Sequence, residues 1–309
     1  MKYAFFQGCN IPVRIQQYAL ATEAVLNKFG VELQVMRDFN CCGYPMRNVD
    51  EKSYILPSVR NLAVAEKAGL DIMVICNCCF QSLKKAASIM AKNPELAAEL
   101  NGMLAKEGLR YTGATTIKHY LTVLHTDIGI AAIKEKLVYR FKGLNSAVIH
   151  GCHLLRPREI MGFDDSFVPK ITEDLMAVAG ATSLDWLGRL ECCGAALAGF
   201  NDELSIRLLN EKISGAKAAG AQYITPICSY CHLQFDTAQV NSLKDESAAE
   251  PFPVLLYPQL LGLCLGIDAA SLGLAQNQTI TSQHISNLTA LLGPPVEEKK
   301  SRKKAKATS

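Results

Sequence analysis

The stretches Tyr3-Ala4-Phe5-Phe6-Gln7-Gly8-Cys9 and Ala147-Val148-Ile149-His150-Gly151-Cys152 share one plan: a short apolar run, a glycine, then a cysteine. Apolar runs of this length, bounded by turn signals, read as buried strands. Each run opens a half of the chain that continues in the same way. Cys41-Cys42-Gly43 is answered by Cys192-Cys193-Gly194, and the pair Cys76 and Cys79 by Cys228 and Cys231. The offsets between the halves are 143, 151 and 152 residues. Self-similarity of this kind is read before any single element, because it sets the architecture. Ten of the 12 cysteines fall into the repeat, and Cys78 and Cys264 are left over.

Between the cysteines, strand-like and helix-like segments alternate. Residues 13–29 have apolar positions at helical spacing and end at Gly30, and Val31 to Met36 alternates like a strand. Residues 52–68 read as a helix ending at Gly69. In the second half, residues 171–179 read as helical, Ser183 to Leu187 as extended, and 202–219 as a helix ending at Gly220. Such alternation predicts α/β units with largely parallel sheets. Active groups in these folds lie at the carboxyl ends of strands, where Cys9, Cys76, Cys152 and Cys228 fall. Residues 94–140 read as extra helices between the halves, with Pro94 starting one. The expected division is 1–140, 141–270, and an irregular, Lys-rich tail over 271–309.

Composition narrows the function classes. The 309 residues are 49% hydrophobic and 20% charged, which excludes a disordered or collagen-like chain. The net charge of +3 comes from the end: Glu297 to Ser309 holds six basic and two acidic residues, leaving the body at −1. That tail is expected to be flexible, and a nucleic-acid partner is not expected, since its basic patch is missing from the body. The most apolar stretch, Phe252 to Gly266, is broken by Pro253 and Pro258 and predicts no membrane span. No secretory signal is read at Met1, so a cytoplasmic setting is expected, where cysteines serve metals or redox chemistry. Neither a Gly-x-Gly-x-x-Gly nor a Walker sequence occurs, so no nucleotide is expected by those routes.

Three chemistries answer to these cysteines: a structural zinc, an iron–sulfur cluster, and thiol–disulfide redox without metal. Structural zinc often takes two Cys-x-x-Cys pairs, and each half has one. Adjacent cysteines point in different directions along an extended chain, which suits a multi-iron group. Gly43 and Gly194 allow close backbone approach and amide donors to sulfur.

The full pattern, Cys9, Cys41-Cys42-Gly43, Cys76-x-x-Cys79, repeated as Cys152, Cys192-Cys193-Gly194, Cys228-x-x-Cys231, resembles the duplicated cysteine-rich CCG domain. Within it, the chain is similar to the family of heterodisulfide reductase B subunits. The likeness covers roughly residues 1–268, including Asn40 to Pro45, Cys231 to Asp236 and Pro253 to Leu263. The resemblance implies two pseudo-symmetric Rossmann-like CCG domains facing each other. It implies a non-cubane [4Fe-4S] cluster on each five-cysteine set: Cys9, Cys41, Cys42, Cys76 and Cys79, and Cys152, Cys192, Cys193, Cys228 and Cys231. It further implies an oxidoreductase that reduces, or in reverse forms, a disulfide between the clusters. The implied partners are a small ferredoxin-like polypeptide and a larger flavin-containing one. A relay component of another CCG-containing complex, without a substrate site of its own, is the competing expectation. The chain departs from the pattern at Cys78, inside the first Cys-x-x-Cys, and after residue 268.

Three further residues are candidates. His153, next to Cys152, is suited to donate a proton or touch substrate near neutral pH. His232 follows Cys231 in the same way. Lys212, on the helix after the second doublet, is a candidate attractor of an anionic substrate. Trp186 and Cys264 are expected to be packing residues.

Overall fold

The computed structural model describes residues 1–244 and 250–296. Strand β1 (Lys2–Phe6) is buried from its second residue on, with apolar side chains facing both ways. After a short turn of helix it leads into α1 (Gln16–Lys28), which returns the chain to β2 (Glu32–Val35). Helix α2 (Glu51–Lys67) follows, its first turn capped by Asp50, whose carboxylate accepts from the Ser53 amide at 2.7 Å. Strand β3 (Asp71–Val74) then feeds α3 (Asn77–Lys92). Helix α4 (Pro94–Leu104) starts at Pro94 as expected, with Asn93 accepting from the Leu96 amide at 3.1 Å. Strand β4 (Ile117–His119) completes a parallel sheet in the order β2-β1-β3-β4. At three residues, β4 is too short to show alternation in the sequence.

The second half repeats the plan. Strand β5 (Leu144–Ile149), helix α5 (Ile171–Ala179), strand β6 (Ala181–Ser183), helix α6 (Asp202–Ala218) and strand β7 (Tyr223–Pro226) build a parallel sheet ordered β6-β5-β7. Val254 bridges Ile224 in parallel, as Ile117 pairs with Ile72 at β4. In both sheets the chain leaves the first strand toward one neighbour and later returns to its other side. The crevice at such a reversal, beyond the carboxyl ends of the strands, is where open α/β sheets bind ligands. Cys9 and Cys76 follow the two strands that flank it in one half, and Cys152 and Cys228 in the other.

The halves share one core. Helix α7 (Tyr257–Cys264) is buried along its length and packs on α1, while the Tyr18 hydroxyl donates to the Ile227 carbonyl at 3.0 Å. Cys264 lies in this core with its thiol on the Ala179 carbonyl at 3.4 Å, and Trp186 is packed with its indole N–H on Val148 O at 3.3 Å. No helix among the described residues is long and apolar enough to cross a membrane.

The expectation that the chain turns irregular and leaves the body at 271 is corrected for residues 271–296. Leu272, Leu274 and Leu288 are fully buried, and helix α8 (Ser282–Leu291) forms there, capped by Thr281. The polar residues that suggested a tail satisfy the interior instead: Asn277 Nδ2 donates to Val254 O at 2.9 Å, and Thr279 Oγ1 donates to Asp236 at 2.8 Å. The flexible, Lys-rich end at 297–309 lies outside the described residues.

One buried group makes stability pH-dependent. His119, at the end of β4, is fully buried among the rings of Phe80, Tyr120 and Phe163, and neither ring nitrogen has a hydrogen-bond partner among the described residues. Burial pushes its pKa down to about 3. As pH falls below about 6.5, the unfolded chain takes up this proton first, so stability is lost from there toward pH 3. Between pH 7 and pH 5 the loss from this group is about 2 kcal/mol. H119F is expected to remove it, and urea unfolding at the two pH values measures it. An H119F midpoint that falls as far as wild type would contradict the assignment.

Candidate functional site

The loop after β1 presents Cys9, the loop before α2 presents Cys41 and Cys42, and the first turn of α3 brings Cys76 and Cys79. All five line one cleft. Cys152, Cys192, Cys193, Cys228 and Cys231 line its counterpart. All twelve cysteines are free thiols; Cys9 and Cys192 are exposed, and Cys42, Cys76, Cys79, Cys193, Cys228 and Cys231 are buried.

The doublet loops are held by backbone geometry. Gly43 has φ +83° and Gly194 φ +84°, the left-handed region that side chains resist. A Cβ on Gly43 would stand 2.2 Å from the Tyr54 carbonyl oxygen, and one on Gly194 2.8 Å from that of Ser205. Helix side chains grip the loops from below. Asn61 accepts from the Asn40 amide at 2.9 Å and donates to its carbonyl at 3.2 Å. Ser58 donates to Cys42 O at 2.7 Å, and Ser205 to Gly194 O at 3.0 Å. The Gly194 amide donates to Cys192 Sγ at 3.4 Å, the amide-to-sulfur contact expected of a glycine there.

Both sets show the same electrostatic pattern. Cys41, bonded by the Cys42 and Cys9 thiols, has its pKa lowered to about 2, while Cys42 is pushed up to about 12 by Cys41. Cys192, bonded by Cys152 and Cys193, is lowered to about 2, and Cys193 rises to about 12 because of Cys192. Cys9 and Cys152 are raised by the same neighbours. Crowded thiols give up some protons and hold the rest, because like charges at contact oppose one another. Five thiolates in one cleft therefore call for a cationic group between them. Among the described residues, no group of His, Cys, Asp or Glu is arranged around a single metal ion. A group of several irons, each taking different thiolates, fits this donor set.

The two sets meet. Cys76 and Cys228, one from each half, hydrogen-bond one another, and this contact is the largest cause of the lowered Cys76 pKa. The loops are registered across the junction: Asn77 Nδ2 donates to His150 O at 3.0 Å and Gln81 Nε2 to Arg156 O at 2.8 Å. Gly151 is needed for this approach, since a Cβ there would stand 2.5 Å from Asn77 Nδ2. Tyr44 and Tyr230, with ring centroids 6.1 Å apart, stand between the clefts and line both.

His153 is the one of the three secondary candidates that faces this junction. Its Nε2 is 3.3 Å from Arg47 Nη1 and its Nδ1 3.1 Å from Cys78 Sγ. A guanidinium only donates, so Nε2 accepts and Nδ1 carries the hydrogen toward Cys78. Burial lowers the His153 pKa, which favours this neutral form. His232 is corrected. It is fully buried and points away from the cysteines, with Nε2 3.3 Å from Gln17 Nε2 and 3.8 Å from Asp236. Neighbours on a helix diverge by about 100°, so with Cys231 in the cleft His232 turns into the core. Lys212 is corrected as well. Its buried ammonium donates to the Gly188 carbonyl and lies 5.4 Å over the Trp186 ring, beneath the loop that leads to Cys192. That carbonyl and ring occupy the charge assigned to an anionic substrate. Asn61, Asn77 and Arg47 carried no signal in the sequence, because their roles depend on loops distant along the chain.

The family comparison agrees with this duplicated geometry. The model of the CCG cysteine-rich domain matches residues 3–84 and 146–236. The chain belongs to the CCG cysteine-rich domain family. Its two copies contain the two five-cysteine sets. A protein from Archaeoglobus profundus, described as like the B subunit of heterodisulfide reductase, is 34% identical over 87% of this chain and 92% of its own. The B subunit of the ferredoxin:CoB-CoM heterodisulfide reductase from Methanosarcina mazei is 31% identical over 89% of this chain and 93% of its own. The membrane anchor subunit of the 8-methylmenaquinol:fumarate reductase of Wolinella succinogenes is 30% identical over 89% and 96%. By these likenesses the CCG chain is of the kind found as the B subunit of heterodisulfide reductases. A crystal structure of a hypothetical protein from Helicobacter pylori shares the fold, with a TM-score of 0.72 and 16% identity. That match covers 91% of this chain and 52% of the Helicobacter chain.

Proposed function

We propose that this chain is the B-type component of a heterodisulfide reductase-like oxidoreductase, cleaving or forming a disulfide in the gap between two iron–sulfur groups. The observation that carries the reading is the contact of Cys76 with Cys228, which joins two five-thiol sets from the two halves. Cys9, Cys41, Cys42, Cys76 and Cys79 would hold one group; Cys152, Cys192, Cys193, Cys228 and Cys231 would hold the other. Non-cubane [4Fe-4S] clusters suit five ligands each. When bound, they supply electrons one at a time, as splitting an S–S bond into two thiols requires. The rest belongs to the chain. Gly43 and Gly194 bring each doublet loop down onto its helix, Asn77 sets the spacing of the halves, and the Tyr44 and Tyr230 rings keep water from the gap. His153, on the second set, is placed to hand a proton to a sulfur there.

Residues 1–140 and 141–270 are taken as the two domains. Electrons would come from or go to other polypeptides, one ferredoxin-like and one flavin-containing, in the reducing cytoplasm where free thiols persist. Similarity to reductase components at 31% and 34% identity supports the assignment to such a complex. Anaerobic iron and acid-labile sulfide analysis of the full chain is expected to give about eight of each, four per cluster. One zinc and no sulfide would end the proposal. Adding a small disulfide should alter the paramagnetic spectrum of the loaded chain, whereas an unchanged spectrum would favour a relay component without a substrate site.

A further inference from the structure

Cys78 is the cysteine that the repeat leaves out, yet it stands where the two sets meet. It is 4% exposed and lines both clefts. Its side chain touches Cys76 of its own half and Cys228 of the other. The His153 Nδ1 hydrogen points at its sulfur from 3.1 Å, and Arg47, which holds the far nitrogen of that ring, is exposed. One histidine and one arginine thus separate the sulfur from solvent. The position is asymmetric: with the 152-residue offset of the Cys-x-x-Cys pairs, Cys78 corresponds to Tyr230, and His153 to Asn10 at the offset of 143. Tyr230 in turn reaches Asn10, so each half lends one side chain to the other, but only one of the two is a thiol. A second feature points to a ligand here. The Ser229 hydroxyl, fully buried in the wall of the first cleft beside Cys78, has no hydrogen-bond partner among the described residues.

We infer that Cys78 is a catalytic residue that receives the substrate disulfide as a mixed disulfide. The inference rests on the disulfide reading above. In the step, Cys78–SH and R–S–S–R′ give Cys78–S–S–R and R′–SH. One S–S bond breaks and one forms, the thiol hydrogen ends on the departing sulfur, and no electrons are consumed. Two electrons and two protons, with dithionite as the electron source in the test, then release R–SH and restore the thiol. His153 holds the Cys78 sulfur toward the second set by its Nδ1 hydrogen bond and acts here as a positioning residue. The substrate class is a disulfide small enough to pass the Arg47–His153 edge.

The test uses the full chain, loaded anaerobically with iron and sulfide and assayed for both. Bis(2-hydroxyethyl) disulfide is added, and intact mass and peptide mapping are read without turnover. The expected result is one 2-hydroxyethylthio group on Cys78, removed by dithionite, and none on C78S or C78A, with iron and sulfide unchanged in the variants. Cys264 is the internal control, a second cysteine outside the repeat but in the core. An iron-replete wild type that takes no label, or takes it elsewhere, overturns the inference and leaves the proposed function standing. Iron lost from both C78S and C78A would make Cys78 a ligand and also overturn it. A wild type without iron and sulfide, labelled at the exposed Cys9 and Cys192, would overturn the disulfide reading itself.

Discussion

C193S is expected to lose one of the two iron–sulfur groups while keeping the other. Cys193 is buried, and its thiol bonds to both Cys192 and Cys231, so it ties the doublet loop to the Cys-x-x-Cys turn. Serine keeps the shape but offers an oxygen that binds iron poorly beside four thiolates. Iron and sulfide should fall from about eight to about four per chain. Turnover of a disulfide should fall at least a hundred-fold, since even outer partners of metal ligands cost about 10–100-fold when replaced. C42S, its counterpart in the first half, should do the same at the other set, and the double variant should hold no iron. C264S should keep all of it, because that thiol lies in the apolar core. A C193S chain with full iron content would remove Cys193 from the ligand set and with it the equivalence of the halves.

G43A is expected to be the most damaging single-methyl addition. Left-handed backbone costs a side chain about 1–2 kcal/mol. The new Cβ would also stand 2.2 Å from the Tyr54 carbonyl oxygen, which belongs to helix α2 and cannot move alone. Together these should cost about 3 kcal/mol or more. For a chain of this size that lowers Tm by about 6–12 °C. G69A provides the comparison: Gly69 has φ +66° but nothing within 4 Å of the added carbon, so only the backbone term applies. Thermal unfolding of the two iron-loaded variants measures the difference. Equal Tm values would show that the Cys41–Cys42 loop does not depend on close packing against α2. Because that loop carries two thiols of the first set, G43A should also lose iron there first.

The ten repeat cysteines were legible because their chemistry and their place in the fold share one signal. A thiol at the end of a buried apolar run is at the end of a strand, and the end of a strand at a reversal of sheet order is a crevice. The secondary candidates were harder to read. His153 and His232 look alike in sequence, each following a cysteine of the second set. Yet His153 lies in the short turn after β5 and reaches the other half, whereas His232 sits inside a helical turn and faces the core. Lys212 has a charge suited to an anion, but its burial against Trp186 and the Gly188 carbonyl is set by a loop some 24 residues away. Residues 271–296 misled because their composition is polar. Asn277 and Thr279 are polar in order to satisfy a buried backbone, and that is visible only when the backbone is in place.

The sequence by itself determined the α/β class, the duplication and the two sets of five thiols, because these depend on short-range pattern and on spacing that repeats. Tertiary structure alone decided that the sets meet at Cys76 and Cys228, that Asn77 and Gly151 register the halves, and that Cys78 lies against His153 of the opposite half. The physical reason is that a repeat specifies each half against itself. How one half is turned toward the other depends on side chains about 75 to 150 residues apart, which local pattern does not relate.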